Sequence, residues 1–495
     1  MMRSLILLVA GSCVILNLTV ISSVCSEYVV STCPAEAKFQ QTKVLYGDKK
    51  LQTSFSESPL GVAFGFRYRG QIFMPYIKEL GINLTKLYIY WQEVEPEKGK
   101  YEWRCIDNFL NQLDQDTEVL IALWSSSNWA TKQKAFKGGS APLNMNQYYR
   151  FVFEVVKHCQ GKIRYWQNDC EPNSADFWKG SKEEFVTTLR AFYKAVKDAD
   201  SKAQVIVGGH NGHFRAQTPG NQPFFDHVFK EAKDSFDVFD LRLYGDIYTV
   251  PDRVEWFRKR MRDFGFQKPI VCTEYGGPWP AICPDYPAWR RQFSKLQRKH
   301  GARTARRIIV NGMKKDREKL SPCLRMFLDD CSKKLDDRRH RIHSRDIVAR
   351  TIMALSCGVN RLWYWNMTGW RGHIVFGKFP LMDERFDLRY PAFFAYQRMV
   401  EKLKGMKSVE QIKTRGENVY LFAIEKDSDK RLYVLWEKRD PYFGEDQAPT
   451  ALELDMKAKK IIVEDVFGNQ EVKNVIQDSL KIEITDTPLY FEAVE

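Results

Sequence analysis

The chain has 495 residues, 44% of them hydrophobic, enough to bury a large core and too many for one small domain. Its formal net charge of +14 would ordinarily call for an acidic partner such as nucleic acid, an anionic membrane or a polyanionic glycan. Residues 281–345 alone hold 19 Lys and Arg against 7 Asp and Glu, which excludes a uniformly basic coat, and no nucleic-acid recognition motif accompanies that patch.

At the N-terminus, Arg3, an apolar run over 5–24 and the small residues Ser22, Ser23 and Ser26 predict a signal peptide over 1–26, hence a secreted or lumenal protein. The run is long for such a segment, so a retained signal anchor is the alternative; otherwise no membrane span is expected in the mature chain. Loss of Cys13 and Cys25 from the 11 cysteines leaves an odd number, so at least one thiol stays unpaired in an oxidising compartment. Cys170, Cys272 and Cys357 fall in or beside apolar runs and suit buried thiols, whereas Cys283, Cys323 and Cys331 are candidates for a local bridge.

A polar lead-in over 27–58 precedes eight apolar runs, at 60–66, 84–91, 119–124, 163–166, 205–209, 238–244, 270–273 and 359–365. Between them lie amphipathic stretches such as 146–158 and 182–198, whose apolar positions recur at three and four residues. Eight strand-helix repeats predict an α/β fold, a (β/α)8 barrel over 59–404, whose chemistry collects at the C-terminal ends of the strands. The basic insertion at 281–345 separates the last two runs. Its middle, 290–319, has helical composition and predicts a solvated basic helix, with His340 and His343 on the surface. Following the seventh strand, it belongs to the catalytic face, which leaves room for an electrostatic role with an anionic glycan. After a last helix, apolar and polar residues alternate at 419–425, 432–436, 461–466 and 482–491, with a turn at Gly468-Asn469, predicting a β-sandwich over 405–495.

Two carboxylates stand out. The aromatic run at 164–173 ends in Glu171-Pro172, and proline disfavours helical geometry at the residue before it, so Glu171 is expected extended at a strand end. The run at 270–273 likewise leads straight into an acid, Glu274. By the strand count these are the ends of strands four and seven, on the same rim.

With Tyr90-Trp91, the segment 94–103, Trp124 to Trp129 and Trp363-Tyr364-Trp365, these residues resemble the clan of retaining (β/α)8 glycoside hydrolases. The segment from Phe177-Trp178 to Gly209 is similar to the β-xylosidase and α-L-iduronidase family in particular. The resemblance implies hydrolysis of O-glycosidic bonds by double displacement, with Glu274 as nucleophile and Glu171 as acid/base, about 5 Å apart. Glu171 is expected to have a raised pKa while Glu274 stays ionised. No cofactor or metal is implied, and the partner is a carbohydrate substrate, for which an anionic one suits the charge. Tyr244 stands where the clan orients its nucleophile. Trp91, Trp124, Trp363 and Trp365 would stack on sugar faces or serve as core, and His210 and Asn211 would bind substrate or cap the following segment.

Two positions depart from the clan pattern. Cys170 replaces the Asn that precedes the acid/base and binds the sugar 2-hydroxyl, so a glycan-binding pseudo-enzyme is the competing reading, and turnover would need Asn128 or His210 to supply part of that contact. Arg242 replaces a His; it either clamps a substrate carboxylate or sulfate or neutralises Asp240 or Asp246. Other classes lack support: Gln71 and Ile72 break a phosphate loop at Gly65–Gly70, and Gly-x-Ser-x-Gly and His-Glu-x-x-His are absent. Asn83-Leu84-Thr85 and Asn366-Met367-Thr368 are sequons, the second placed at the barrel mouth.

Overall fold

A computed structural model describes residues 58–63, 70–134, 138–210, 223–368, 379–414, 416–427 and 431–494. The expected signal peptide, nearly all of the lead-in, most of the glycine segment 65–70 and Asn211 lie outside the described residues.

Eight parallel strands run in chain order: β1 (Leu60–Ala63), β2 (Leu84–Tyr90), β3 (Glu118–Trp124), β4 (Tyr165–Asn168), β5 (Gln204–Val207), β6 (Phe239–Asp240), β7 (Ile270–Tyr275) and β8 (Leu362–Tyr364). Seven neighbours pair in sheet order β5-β4-β3-β2-β1-β8-β7-β6, and parallel bridges Ile206 to Val238 and His210 to Leu241 close β5 onto β6. All eight strands fall on the apolar runs. Helices Met145–His158 and Lys182–Ala199 follow strands three and four and bury the faces that the spacing of their apolar residues marks. Ser181 caps the second of these, accepting from the Glu184 N–H while the Glu184 carboxylate accepts from the Ser181 N–H at 2.8 Å.

The C-terminal region forms a six-stranded antiparallel sheet and a two-stranded ribbon, Thr450–Asp455 with Ser479–Ile484. Alternation sends the two faces of the larger sheet to different cores. Leu421, Leu435 and Phe491 pack on the ribbon's Leu452, Leu480 and Ile482, while Phe422, Val434, Trp436 and Tyr490 join the core continuous with the barrel helices. This is the sandwich expected after the barrel.

The basic insertion differs from expectation. Helix Tyr286–Lys315, kinked at Gly301 where φ is 76°, is not a solvated rod: with Pro322–Arg325 it closes over its own apolar cluster, including Phe293, Ile309, Met313, Leu324 and Phe327. A disulfide joins Cys283 to Cys323, two of the three cysteines expected to bridge locally. The remainder, Lys333–Ser356, is a barrel helix with an unusually charged buried face. His340 and His343 are therefore not surface residues. Both are buried, and the His343 ring is hydrogen-bonded to the Tyr364 hydroxyl at 2.5 Å. In the two sequons Thr85 and Thr368 are fully buried, while Asn83 is half-buried and its amide donates to the Asp116 carbonyl at 3.0 Å.

Candidate active site

Beyond β4 the chain turns sharply at Asp169, whose φ of 56° reverses its direction. The Asp169 carboxylate accepts from the Ser125 N–H at 3.0 Å and the Ser125 hydroxyl at 2.9 Å, fastening this turn to the end of β3. Cys170 and Glu171 follow directly, both buried at the barrel mouth. On the opposite side, Glu274 lies within β7, also buried there.

Arg242, which follows β6, stands between them. Its Nη1 is 3.1 Å from Glu274 Oε1, its Nε is 3.9 Å from Glu171 Oε1 and its Nη2 is 3.5 Å from Asp240 Oδ2. Nη1 also donates to the Thr273 hydroxyl at 2.6 Å and Nη2 contacts Cys170 Sγ at 3.2 Å. The guanidinium is only 1% exposed and is ion-paired with protein carboxylates, the arrangement that the structural alternative describes. The pair with Asp240 has a requirement in the backbone: a Cβ on Gly209 would sit 2.4 Å from both Arg242 Nε and Asp240 Oδ2.

Glu274 Oε1 gathers donors. Tyr88 donates to it at 2.7 Å, Lys86 Nζ lies at 3.3 Å and the Cys170 thiol at 3.4 Å. Oε2 receives the Tyr244 hydroxyl at 3.4 Å. Burial alone would raise the pKa of Glu274, but Arg242, Lys86 and the hydrogen bonds from Tyr88 and Cys170 outweigh it and hold the group down at about 2. Glu171 goes the other way. Burial and the charge of Glu274 push it up to about 7 against the opposing pull of Arg242. Burial, then the Glu274 charge, also raises the Cys170 thiol well above its ordinary value, so it acts as a neutral donor and not as a thiolate. Burial and the Arg242 charge lower the pKa of Lys86.

The other expected site residues divide. Trp365 is half-buried at the mouth with its ring edge-on to Tyr88 at 5.6 Å. Trp124 is nearly buried in a cluster with Tyr90 and Cys170 and meets Tyr88 at 6.3 Å, forming the wall behind the site. Asn128 is exposed on the loop after β3, its N–H donating to Gln92 Oε1 at 2.6 Å. Three residues are not available to substrate. Trp91 is fully buried, stacked on Phe151 at 4.8 Å with its indole N–H on Glu95 at 2.8 Å. Trp363 is fully buried in the barrel floor, donating to the Thr85 carbonyl at 3.1 Å. His210 turns outward between Phe225 and Phe257 of the helical layer, 5.5 and 4.8 Å away, so it cannot make up the amide missing at Cys170.

Lys86 and Tyr88 were missed, though β2 carried a signal: Leu84, Lys86 and Tyr88 share one face of the strand, and a lysine inside an apolar strand needs a buried partner. Trp279 and Phe379, 5.9 and 6.2 Å from Tyr244, add an aromatic wall on the β7 side that no motif announced.

No family model matches the chain, and no curated protein matches it in sequence. Solved structures do share its fold. A family 39 glycoside hydrolase from Bacteroides cellulosilyticus WH2 superposes with a TM-score of 0.62 at 14% identity, covering 89% of this chain and 82% of its own. A GH39 β-xylosidase from Caulobacter crescentus gives 0.55 at 14% identity over 93% and 99% of the two chains. A family 51 α-L-arabinofuranosidase from Bifidobacterium longum gives 0.57 at 11% identity over 94% and 100%. At these identities the likeness shows the fold alone, a parallel eight-stranded barrel followed by an antiparallel β region.

Proposed function

We propose that the protein is a retaining glycoside hydrolase, exported by its N-terminal segment and acting on an oligo- or polysaccharide. The observation that carries this reading is the pair of buried carboxyls at the barrel mouth that share Arg242, 3.9 Å from Glu171 and 3.1 Å from Glu274. Burial and the charge of Glu274 raise Glu171 to about 7, so part of it still carries its proton near neutral pH, while Glu274, ringed by Arg242, Lys86 and Tyr88, stays ionised.

In the first step Glu274 Oε2, the oxygen with fewer donors, attacks the anomeric carbon. The glycosidic C–O bond breaks as Glu171 passes its proton to the leaving oxygen. In the second step Glu171, now a carboxylate, takes a proton from water, whose oxygen attacks the same carbon and expels Glu274. Strong stabilisation of the Glu274 anion makes it a modest nucleophile but a good leaving group, which favours the second step over the first. Tyr244 orients Oε2, and Trp365 supplies an aromatic face for a sugar ring. A β-xylosidase and an α-L-arabinofuranosidase share this fold, which supports the reading.

Incubation with a panel of activated 2-deoxy-2-fluoro glycosides tests the reading. One member is expected to inactivate the protein and leave its sugar on the peptide containing Glu274. Saccharide binding with neither turnover nor labelling would replace the enzyme by a glycan-binding barrel.

A further inference from the structure

Arg242 and Tyr244 stand on a stretch of chain that the sheet holds loosely. The regular ladder of β6 ends at Asp240, which pairs with Val271. Beyond it, among the described residues, the pairing continues as isolated bridges, His210 to Leu241 and Leu243 to Tyr275, and the Leu243 N–H reaches the Glu274 carbonyl at 3.4 Å. Buried carbonyls at a strand end still need donors. Three successive ones, those of Arg242, Leu243 and Tyr244, receive them from two arginine side chains on helices that surround the barrel.

Arg253, fully buried on helix Val250–Asp263, spans two of the three. Its Nη1 donates to the Tyr244 carbonyl at 2.7 Å and its Nη2 to the Arg242 carbonyl. Carbonyls of an extended chain alternate in direction, so that of Leu243 faces the other side, where Arg350 Nη1 of helix Lys333–Ser356 donates to it at 2.9 Å. Arg350 is itself oriented by Asp346, whose carboxylate oxygens accept from its Nε at 2.9 Å and its Nη2 at 2.6 Å. Gly277, just past Glu274, leaves room for that pair: a Cβ there would lie 2.4 Å from Asp346 Oδ1 and 2.8 Å from Arg350 Nη2. The pair thus sits against the chain leaving β6 and the chain leaving β7. Burial lowers the pKa of Arg253 to about 10, which leaves it charged at neutral pH, and a charged fork grips carbonyls more firmly than a neutral donor.

Fixing three consecutive carbonyls also fixes the side chains between them. Arg242 meets Glu274 at 3.1 Å and Glu171 at 3.9 Å, and the Tyr244 hydroxyl meets Glu274 Oε2 at 3.4 Å. We infer that Arg253 and Arg350 are positioning residues for the proposed hydrolysis, holding the chain beyond β6 so that Arg242 and Tyr244 meet the two acids, without touching substrate themselves. The inference rests on the glycoside hydrolase reading and adds to it two residues from outside the barrel mouth. Packing alone would be served by apolar side chains of similar volume, which carry no charge to desolvate. Without the clamp, the Arg242 guanidinium follows its nearer partners, Glu274 and Asp240, and Glu171 loses the pull that opposes its raised pKa.

Two measurements on the full chain test this, one that needs turnover and one that does not. For Arg253→Met and Arg350→Met, kcat on the best aryl glycoside is expected to fall about 10- to 100-fold with KM within about threefold. The high-pH limb of kcat/KM is expected to move up from about 7 by about half a pH unit or more. Arg253→Lys and Arg350→Lys, which keep the charge but not the fork, should lose about 3- to 10-fold. The second measurement is an NMR titration of protein labelled at the glutamate carboxyl carbons, with the Glu171 signal assigned by Glu171→Gln; the same upward move is expected. A structural role alone would lower the folded fraction, read by circular dichroism, and the apparent kcat in proportion. That outcome, with the limb and the Glu171 titration unmoved or moved down, overturns the inference. If the Met variants do not fold, the Lys variants and Asp346→Asn, which releases Arg350 without emptying its site, are read by the same criteria. A protein that cleaves no glycoside takes away the enzyme reading, and the NMR titration still decides whether the two arginines hold Arg242 against Glu171.

Discussion

Two layers of the barrel interior, one pleat apart on the same strands, differ in almost every respect. The floor is Leu84, Leu120, Tyr165, Ile206, Val238, Val271 and Trp363, an apolar plug. Two residues further along, the same strands present Lys86, Gln167, Asp240, Thr273 and Trp365, and Arg242 and Tyr88 lie above them. Because side chains repeat with period two, the same strand supplies packing at one position and a catalytic support at the next inward position. The floor gains from burial, at about 25 cal/mol per Å² of apolar surface. The upper layer instead carries the desolvation cost of Lys86, Arg242, Asp240 and Glu274, offset by their mutual contacts. The lower layer is built for packing, and the upper one holds the groups that the proposed chemistry would use.

Substitutions can break that division. Glu274→Gln removes the group the upper layer is assembled around, and activity on the best aryl glycoside is expected to fall on the order of 10⁴-fold in steady-state assays while the fold persists. Trp363→Ala should do the reverse, costing about 3–5 kcal/mol in denaturant unfolding because its cavity lies in a packed floor, with kcat little changed in the protein that remains folded. An equal loss of activity and stability in both variants would show that the layers are not separable.

Acid–base behaviour sharpens the comparison. The proposed mechanism needs Glu274 ionised and Glu171 protonated, so kcat/KM should decline as pH rises through about 7, and Glu171→Gln should abolish that limb while lowering the rate about 10²–10⁴-fold. The raised pKa of Glu171 also has a stability consequence. Its folded form holds the proton more tightly than the unfolded chain, so its contribution to stability falls as pH rises from the ordinary carboxylate range through about 7. Glu171→Gln is therefore expected to melt above wild type at pH 8 and level with it at pH 4; the opposite order would mean that the ionised carboxylate is stabilised by Arg242 more than it is penalised by burial.

The smallest effect concerns Cys170. Its thiol is a weak donor beside Glu274, and with His210 turned into the helical layer nothing described replaces the amide expected there. Cys170→Asn is expected to raise kcat about tenfold, roughly the 1.4 kcal/mol gained by a better hydrogen bond in the transition state. A fall in rate would show that Tyr90 and Trp124 leave no room for the larger side chain.

The sequence by itself determined the order of strands and helices, the two acids at strand ends and the terminal sandwich, because each depends on local periodicity and on residues a few positions apart. It also located the excess charge and narrowed the local disulfide to three cysteines. What the tertiary structure decided was which way side chains face across the barrel. Trp91, Trp363 and His210 looked like site residues beside strand ends, yet a shift of one position along a pleat turns a ring from the mouth into the core. Lys86 and Tyr88 reach Glu274 across nearly 190 positions of sequence, and Arg242 finds both acids only because barrel closure brings β4, β6 and β7 together. The insertion's charge suggested a helix dissolved in water; only its packing around Phe293, Ile309 and Phe327 showed a folded unit with its own apolar core. Contacts between distant strands depend on closure and register, which no local pattern records.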